Sequence, residues 1–146
     1  MRMSGNTIFI PGATSGIGLA LAERFHAAGN TVIVGGRRRH LLDEIAAAHP
    51  GIDTVEIDTA DATSIAAASA DVIARHPDLD VVIAMAGIMR AEGWTHPDGF
   101  VSSAEQIVTT NVLGPIRLIG ALIEHLRAQP DATIMTVSSG RAFAPL

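Results

Sequence analysis

The 146-residue chain has no cysteine, no tyrosine and no lysine, and only one tryptophan. Without cysteine there is neither a disulfide framework nor a thiolate metal site, so a packed core must hold the fold. With lysine absent, all ten basic residues are arginine, and the longest basic block is Arg37-Arg38-Arg39. Set against a net charge of −5, that block argues against a nucleic-acid partner. The N-terminus shows no signal-peptide pattern, and no apolar stretch reads as long enough to span a membrane. The expectation is a soluble, cytoplasmic protein with no membrane partner. The histidines, His26, His40, His49, His76, His96 and His125, show no H-x-x-x-H spacing and have no clustered carboxylates beside them. They read as surface or helix-terminal residues, and no metal site is expected.

What is present suits a buried core: 48% of residues are hydrophobic and 17% charged. The length suggests one domain, residues 1–146. Apolar runs alternate with helical patterns along it. Strands are expected at Thr7–Ile10, Thr31–Val34 (ending in Gly35-Gly36), Asp53–Ile57, Asp80–Ala84 and Thr133–Val137. Between them Ile17, Leu21, Phe25 and Ala28 mark one helical face and Leu41, Leu42, Ile45 and Ala48 a second. Ile65, Ser69, Val72 and Ile73 mark a third face, with Asp61 as its N-cap. Residues 87–100 read as irregular, and Ser103–Ala128 as one long helix. This β-α alternation predicts an α/β, doubly wound parallel sheet with helices on both faces. A strand order of 3-2-1-4-5 would put the ligand crevice at the carboxyl ends of the first and fourth strands.

The most informative segment runs T-I-F-I-P-G-A-T-S-G-I-G from Thr7 to Gly18. An apolar strand breaks into a glycine-rich turn and then a helix starting near Ser15. Unhindered backbone N–H groups at a helix N-terminus attract a diphosphate. Glycines permit the tight turn and the close approach of ligand and helix. A dinucleotide fold selective for NAD carries an acid after its second strand. Here Gly36 and then Arg37 occupy that place, which favours a 2′-phosphate, hence NADP(H), with NAD(H) as the alternative. Arg38 is a second candidate for that role, and Arg39 reads as surface. Asp58, after the third strand, is a candidate acceptor for an adenine amino group; the competing reading is a turn aspartate.

Taken together these motifs resemble the short-chain dehydrogenase/reductase family, most closely its DltE-type oxidoreductases. The resemblance rests on Gly12-x-x-x-Gly16-x-Gly18, Val34-Gly35-Gly36-Arg37-Arg38, Asp58-Thr59-Ala60-Asp61, Ala84-Met85-Ala86-Gly87, Thr110-Asn111-Val112-Leu113-Gly114 and Val137-Ser138-Ser139. It implies a Rossmann-type fold whose cofactor contacts are Gly12, Thr14, Ser15, Gly16, Ile17, Gly18, Arg37, Asp58, Thr59, Ala86 and Gly87. Asn111 is implied to hold a helix kink and a water of the proton relay. Ser139, rather than Ser138, would bond a carbonyl or alcohol substrate. Trp94 and His96, in the irregular loop after Gly87, read as loop anchors, the alternative being residues that border the substrate site. A homo-oligomer is implied. Three positions depart from the family pattern: Pro11 replaces a threonine, and Ala84 and Met85 replace asparagines. These changes predict a lost local hydrogen bond and a more apolar crevice wall.

The family transfers its proton with a tyrosine, activated by a lysine four residues on. This chain has neither, and it ends where that tyrosine would follow. The expectation is therefore the N-terminal part of a longer dehydrogenase, with the last strands of the full fold missing. Such a fragment would expose the edge of the fifth strand and the leucines Leu118, Leu122 and Leu126 of the long helix. Two rivals stand beside the oxidoreductase: a nucleotide-sensing module without turnover, and a methyltransferase-like domain.

Overall fold

The computed structural model describes residues 1–89 and 100–139. Trp94, His96 and Arg141–Leu146 lie outside the described residues. Five parallel strands form one sheet in the order β3-β2-β1-β4-β5. They are β1 (Thr7–Pro11), β2 (Thr31–Gly36), β3 (Ile52–Glu56), β4 (Val81–Ala84) and β5 (Thr133–Thr136). The helices are α1 (Gly16–Ala27), α2 (Arg39–Ala48), α3 (Ala62–Arg75), α4 (Phe100–Val108) and α5 (Gly114–Ala128). Each strand matches its sequence expectation to within a residue or two.

β1 is buried along its whole length, as a strand covered on both faces must be. Alternate side chains serve opposite layers. Ile8 and Ile10 join Ala22 of α1 and Leu42 and Ile45 of α2. Phe9 joins Ile65 and Val72 of α3 and Leu118 and Leu122 of α5. α1 and α2 thus cover one face of the sheet and α3 and α5 the other, as the doubly wound reading requires.

Four expectations change. The buried residues of α1 are Gly18 and Ala22, with Leu19 and the expected Phe25 packed half-buried on the core, while Ile17 is 76% exposed. Small residues let the helix approach the sheet more closely than its larger ones would. The long helix begins at Phe100 and is interrupted by a π turn at Thr109–Leu113. Leu118, Leu122 and Leu126 are not exposed but buried against α3 and the sheet. The large apolar residues left outside along this helix are Val101, Val108, Val112, Leu113 and Ile116. The helix Val101–Ala128 holds an 18-residue stretch of mean hydropathy 1.4 and is long and apolar enough to cross a membrane by length and composition, contrary to the sequence reading. Its buried leucines are instead used inside the fold. β5 does have exposed side chains, Ile134, Met135 and Val137 among them.

The amino ends of the strands are closed by polar contacts. Buried Asp80 accepts the Thr7 N–H at 2.8 Å and lies 3.6 Å from Arg2. Asn30 accepts the N–H of Asn6 at 3.0 Å, linking the starts of β1 and β2. Asp53 of β3 pairs with Arg75 through the same oxygen, Oδ2, that lies 2.6 Å from His76 Nε2. The carboxyl ends are arranged differently, and the crevice is there.

Candidate functional site

The order of strands reverses between β1 and β4, and the carboxyl ends of both border a cavity of about 220 Å³. Gly12, Thr14 and Ser15 supply one wall, and Gly36, Arg37 and Arg38 follow from β2. Ile57, Asp58 and Thr59 come from the end of β3, and Met85, Ala86, Gly87 and Ile88 from the end of β4. Thr110 of the π turn closes the set.

The turn between β1 and α1 holds its shape through its backbone. Gly12 has φ +85°, in the left-handed region, and its N–H bonds the carbonyl of Gly35 at 2.8 Å. A Cβ there would stand 2.7 Å from Ala86 Cα, so β1 and β4 meet too closely at this point for any side chain. Pro11 fits because strand N–H groups alternate in direction. Gly12 N faces β2, so the missing Pro11 N–H faces β4, beyond the last registered pair Phe9↔Val82.

The helix that follows is left open at its N-terminus. Ser15 occupies the N-cap of α1 without making a side-chain cap bond, and no acidic residue lies in the first turn. α3 differs: Asp61 accepts from the N–H groups of Thr63 and Ser64, as the sequence predicted. The first-turn amides of α1 therefore lack a capping side chain beside a cavity that Thr14 and Ser15 line, an arrangement that suits an anion. α2 is likewise uncapped at Arg38.

Arg37 is exposed on the cavity and makes no hydrogen bond or ion pair among the described residues. Arg38 reaches across to Thr14 Oγ1 at 3.4 Å, joining the two glycine-bearing turns. Arg39 pairs with Asp43 on the surface, as expected. Asp58 makes the local turn contact and also stands on the cavity wall. Its Oδ1 accepts the Ala60 N–H at 2.9 Å in a local turn, yet the residue lines the cavity. The carbonyl of Thr59 packs on the first turn of α5: a Cβ on Gly114 would come within 2.6 Å of it.

Of the residues expected to contact a cofactor, Gly12, Thr14, Ser15, Arg37, Asp58, Thr59, Ala86 and Gly87 line the cavity together. Gly16, Ile17 and Gly18 do not; they form the first turn of α1, with Gly18 packed on Ala13. Met85 contributes apolar lining where the family pattern has an amide.

Asn111 and Ser139 also lie off the cavity lining. Asn111 sits in the π turn and grips the segment after β4 from both sides. Its Nδ2 donates to the Ile88 carbonyl and its Oδ1 accepts the Ile88 N–H, both at 2.8 Å. A single side chain thereby mimics a strand neighbour for Ile88. The irregular helix is what places it there; π turns commonly mark functional positions. At the end of β5 the ladder continues through Val137 N–H to the Ala84 carbonyl, so the exposed Ser138 and Ser139 follow at the crevice end of the sheet. Ile88 and Thr110 are lining residues that the sequence reading missed. Their only signal was adjacency to Gly87 and Asn111.

The sequence profile described as short chain dehydrogenase matches residues 6–146. The chain is 36% identical over 148 residues to the uncharacterized oxidoreductase DltE of Bacillus subtilis, across 100% of this chain and 58% of DltE. It is 32% identical to dehydrogenase/reductase SDR family member 7B of Bos taurus, across 90% of this chain and 43% of that protein. A solved short-chain dehydrogenase from Streptomyces avermitilis superposes with a TM-score of 0.84 at 32% identity, over 93% of this chain and 50% of that one. A short-chain dehydrogenase/reductase from Brucella melitensis gives 0.87 at 27% identity, over 98% and 60%. The chain thus spans about half the length of these relatives.

Proposed function

The chain belongs to the short-chain dehydrogenase family, and from that premise we propose that its crevice binds NADP(H) as the cofactor half of an oxidoreductase acting on a carbonyl or alcohol. One observation carries the reading: the uncapped N-terminus of α1 and the unpaired Arg37 border the same cavity at the strand-order reversal. The two features suit the two anionic parts of such a ligand. The α1 amides match a diphosphate, which carries charge but needs no sequence-specific side chain. Arg37 matches a 2′-phosphate through the forked geometry of a guanidinium. The end of β2 offers no carboxylate for a ribose 2′-hydroxyl, since Gly36 is followed by arginines.

When bound, the cofactor supplies hydride at its nicotinamide ring. The residues of this chain bind and orient. Gly12 keeps the floor of the turn free of side chains, and Arg38 braces Thr14 against it. Asp58 and Thr59 form the rim assigned to adenine. Gly87 leaves the end of β4 open, and Asn111 fixes that segment through Ile88. Ser139 is assigned to hydrogen-bond the substrate oxygen. With no tyrosine or lysine in the 146 residues, the chain alone is expected to bind cofactor without turning it over.

Calorimetric titration with NADPH and NADH tests this. Tighter binding of NADPH, weakened by Arg37→Ala with NADH affinity unchanged, is the expected result. Preferential binding of NADH would overturn the 2′-phosphate assignment, and binding of neither would remove the cofactor reading.

A further inference from the structure

Arg37 lines two cavities. Beside the crevice lies a second space of about 430 Å³ that shares Arg37, Ile88 and Thr110 with it and extends to α4. From α4 it gains Ser102, Glu105 and Gln106. Among the described residues lining this second space, Arg37 and Glu105 are the only charged ones. They come from different elements, the end of β2 and the body of α4, and they are not in ion-pair contact. The guanidinium is thus left for an external anion, while a carboxylate faces the same space.

We infer that Glu105 sets how strongly the site prefers the phosphorylated dinucleotide: its charge opposes the 2′-phosphate that Arg37 attracts. This rests on the NADP(H) reading of the crevice. Like charges across a solvent-filled gap repel, and the repulsion acts only on the ligand that carries the extra phosphate. A dinucleotide with a free 2′-hydroxyl has no charge at that point and is nearly indifferent to Glu105. For charges on the order of 10 Å apart in water, repulsion of this kind is about two- to five-fold in affinity at low ionic strength, and salt screens it. Glu105 is therefore a moderating residue, and its removal is a gain of selectivity.

The test is calorimetric titration of the wild-type chain and Glu105→Gln with NADPH and NADH, at low and at high (~0.5 M) salt. The variant keeps the side chain's shape and is exposed, so the fold is retained. Expected is NADPH binding tightened about two- to five-fold at low salt, NADH binding almost unchanged, and the difference lost at high salt. Equal changes for both cofactors, no change for either, or an effect that survives high salt would overturn the inference. Should Arg37→Ala selectively weaken NADPH while Glu105→Gln does nothing, the cofactor reading stands and this inference falls. A wild-type chain that binds neither cofactor removes both.

Discussion

Gly12→Ala places a methyl group where β1 and β4 converge. Two costs add. At φ +85° an alanine is held in the left-handed region, at about 1–2 kcal/mol. Its Cβ would also lie 2.7 Å from Ala86 Cα and 2.9 Å from Ala86 Cβ, so the backbone at the end of β4 must move. Overpacking of this kind costs about 1–3 kcal/mol. The sum is about 2–5 kcal/mol, or roughly 4–20 °C in Tm for a chain of this size. Gly16→Ala is the internal control. It shares the positive φ, at +58°, but a Cβ there meets nothing within 4 Å, so only the conformational cost of about 1–2 kcal/mol applies. Urea denaturation of the two variants and the wild type measures the difference, and a cofactor titration follows the crevice. Gly12→Ala should be the less stable variant and should lose at least about tenfold in NADPH affinity, because displacing Ala86 deforms the cavity wall. Equal stability of the two variants would refute the close contact between β1 and β4.

Other expectations follow from the contacts around the sheet. Asp80→Ala strands the buried Thr7 N–H and should cost about 1–3 kcal/mol, read by thermal denaturation. Asn111→Ala removes both bonds to Ile88 and should speed amide exchange at Ile88 while costing only about 1 kcal/mol, since the site is exposed; unchanged exchange there would count against the clamp. His76 is held below the usual imidazole value, first by burial and then by the Arg75 charge, with Asp78 and Asp71 pulling the other way. The unfolded chain therefore protonates at higher pH than the folded one, so stability present above the usual histidine value is lost as pH falls through it. Tm should drop between about pH 7.5 and about pH 5.5, less so in His76→Gln; a rise in wild-type Tm would contradict the sign.

The parallel sheet was legible because strands buried on both faces read as short β-branched runs, as in Thr7–Ile10 and Thr31–Val34. The glycine turn was legible for a local reason too, since the break from strand to helix is written in consecutive residues. Long-range facts were less accessible. The face of α1 was only partly legible: Phe25 packs on the core as expected, but Gly18 and Ala22 are its fully buried residues and Ile17 faces solvent. The exposed leucines expected on α5 proved to be its buried side, because the partner they pack against is α3, far away in sequence. The π turn has no compositional signature apart from an asparagine inside a helix. Ile88, Thr110 and the contact of Gly114 with Thr59 belong to the site through tertiary packing, and nothing in their immediate neighbours announces it.

The central claim is that the amides at the start of α1 receive a dinucleotide diphosphate. Amide chemical-shift mapping by ¹⁵N NMR during titration with NADPH tests it most directly. The account predicts large, saturable shifts at Ser15, Gly16, Ile17 and Gly18 and at Arg37 and Arg38, with Asn6 and Asn30 at the far end of the sheet unmoved. Saturable shifts that leave residues 15–18 untouched would contradict it.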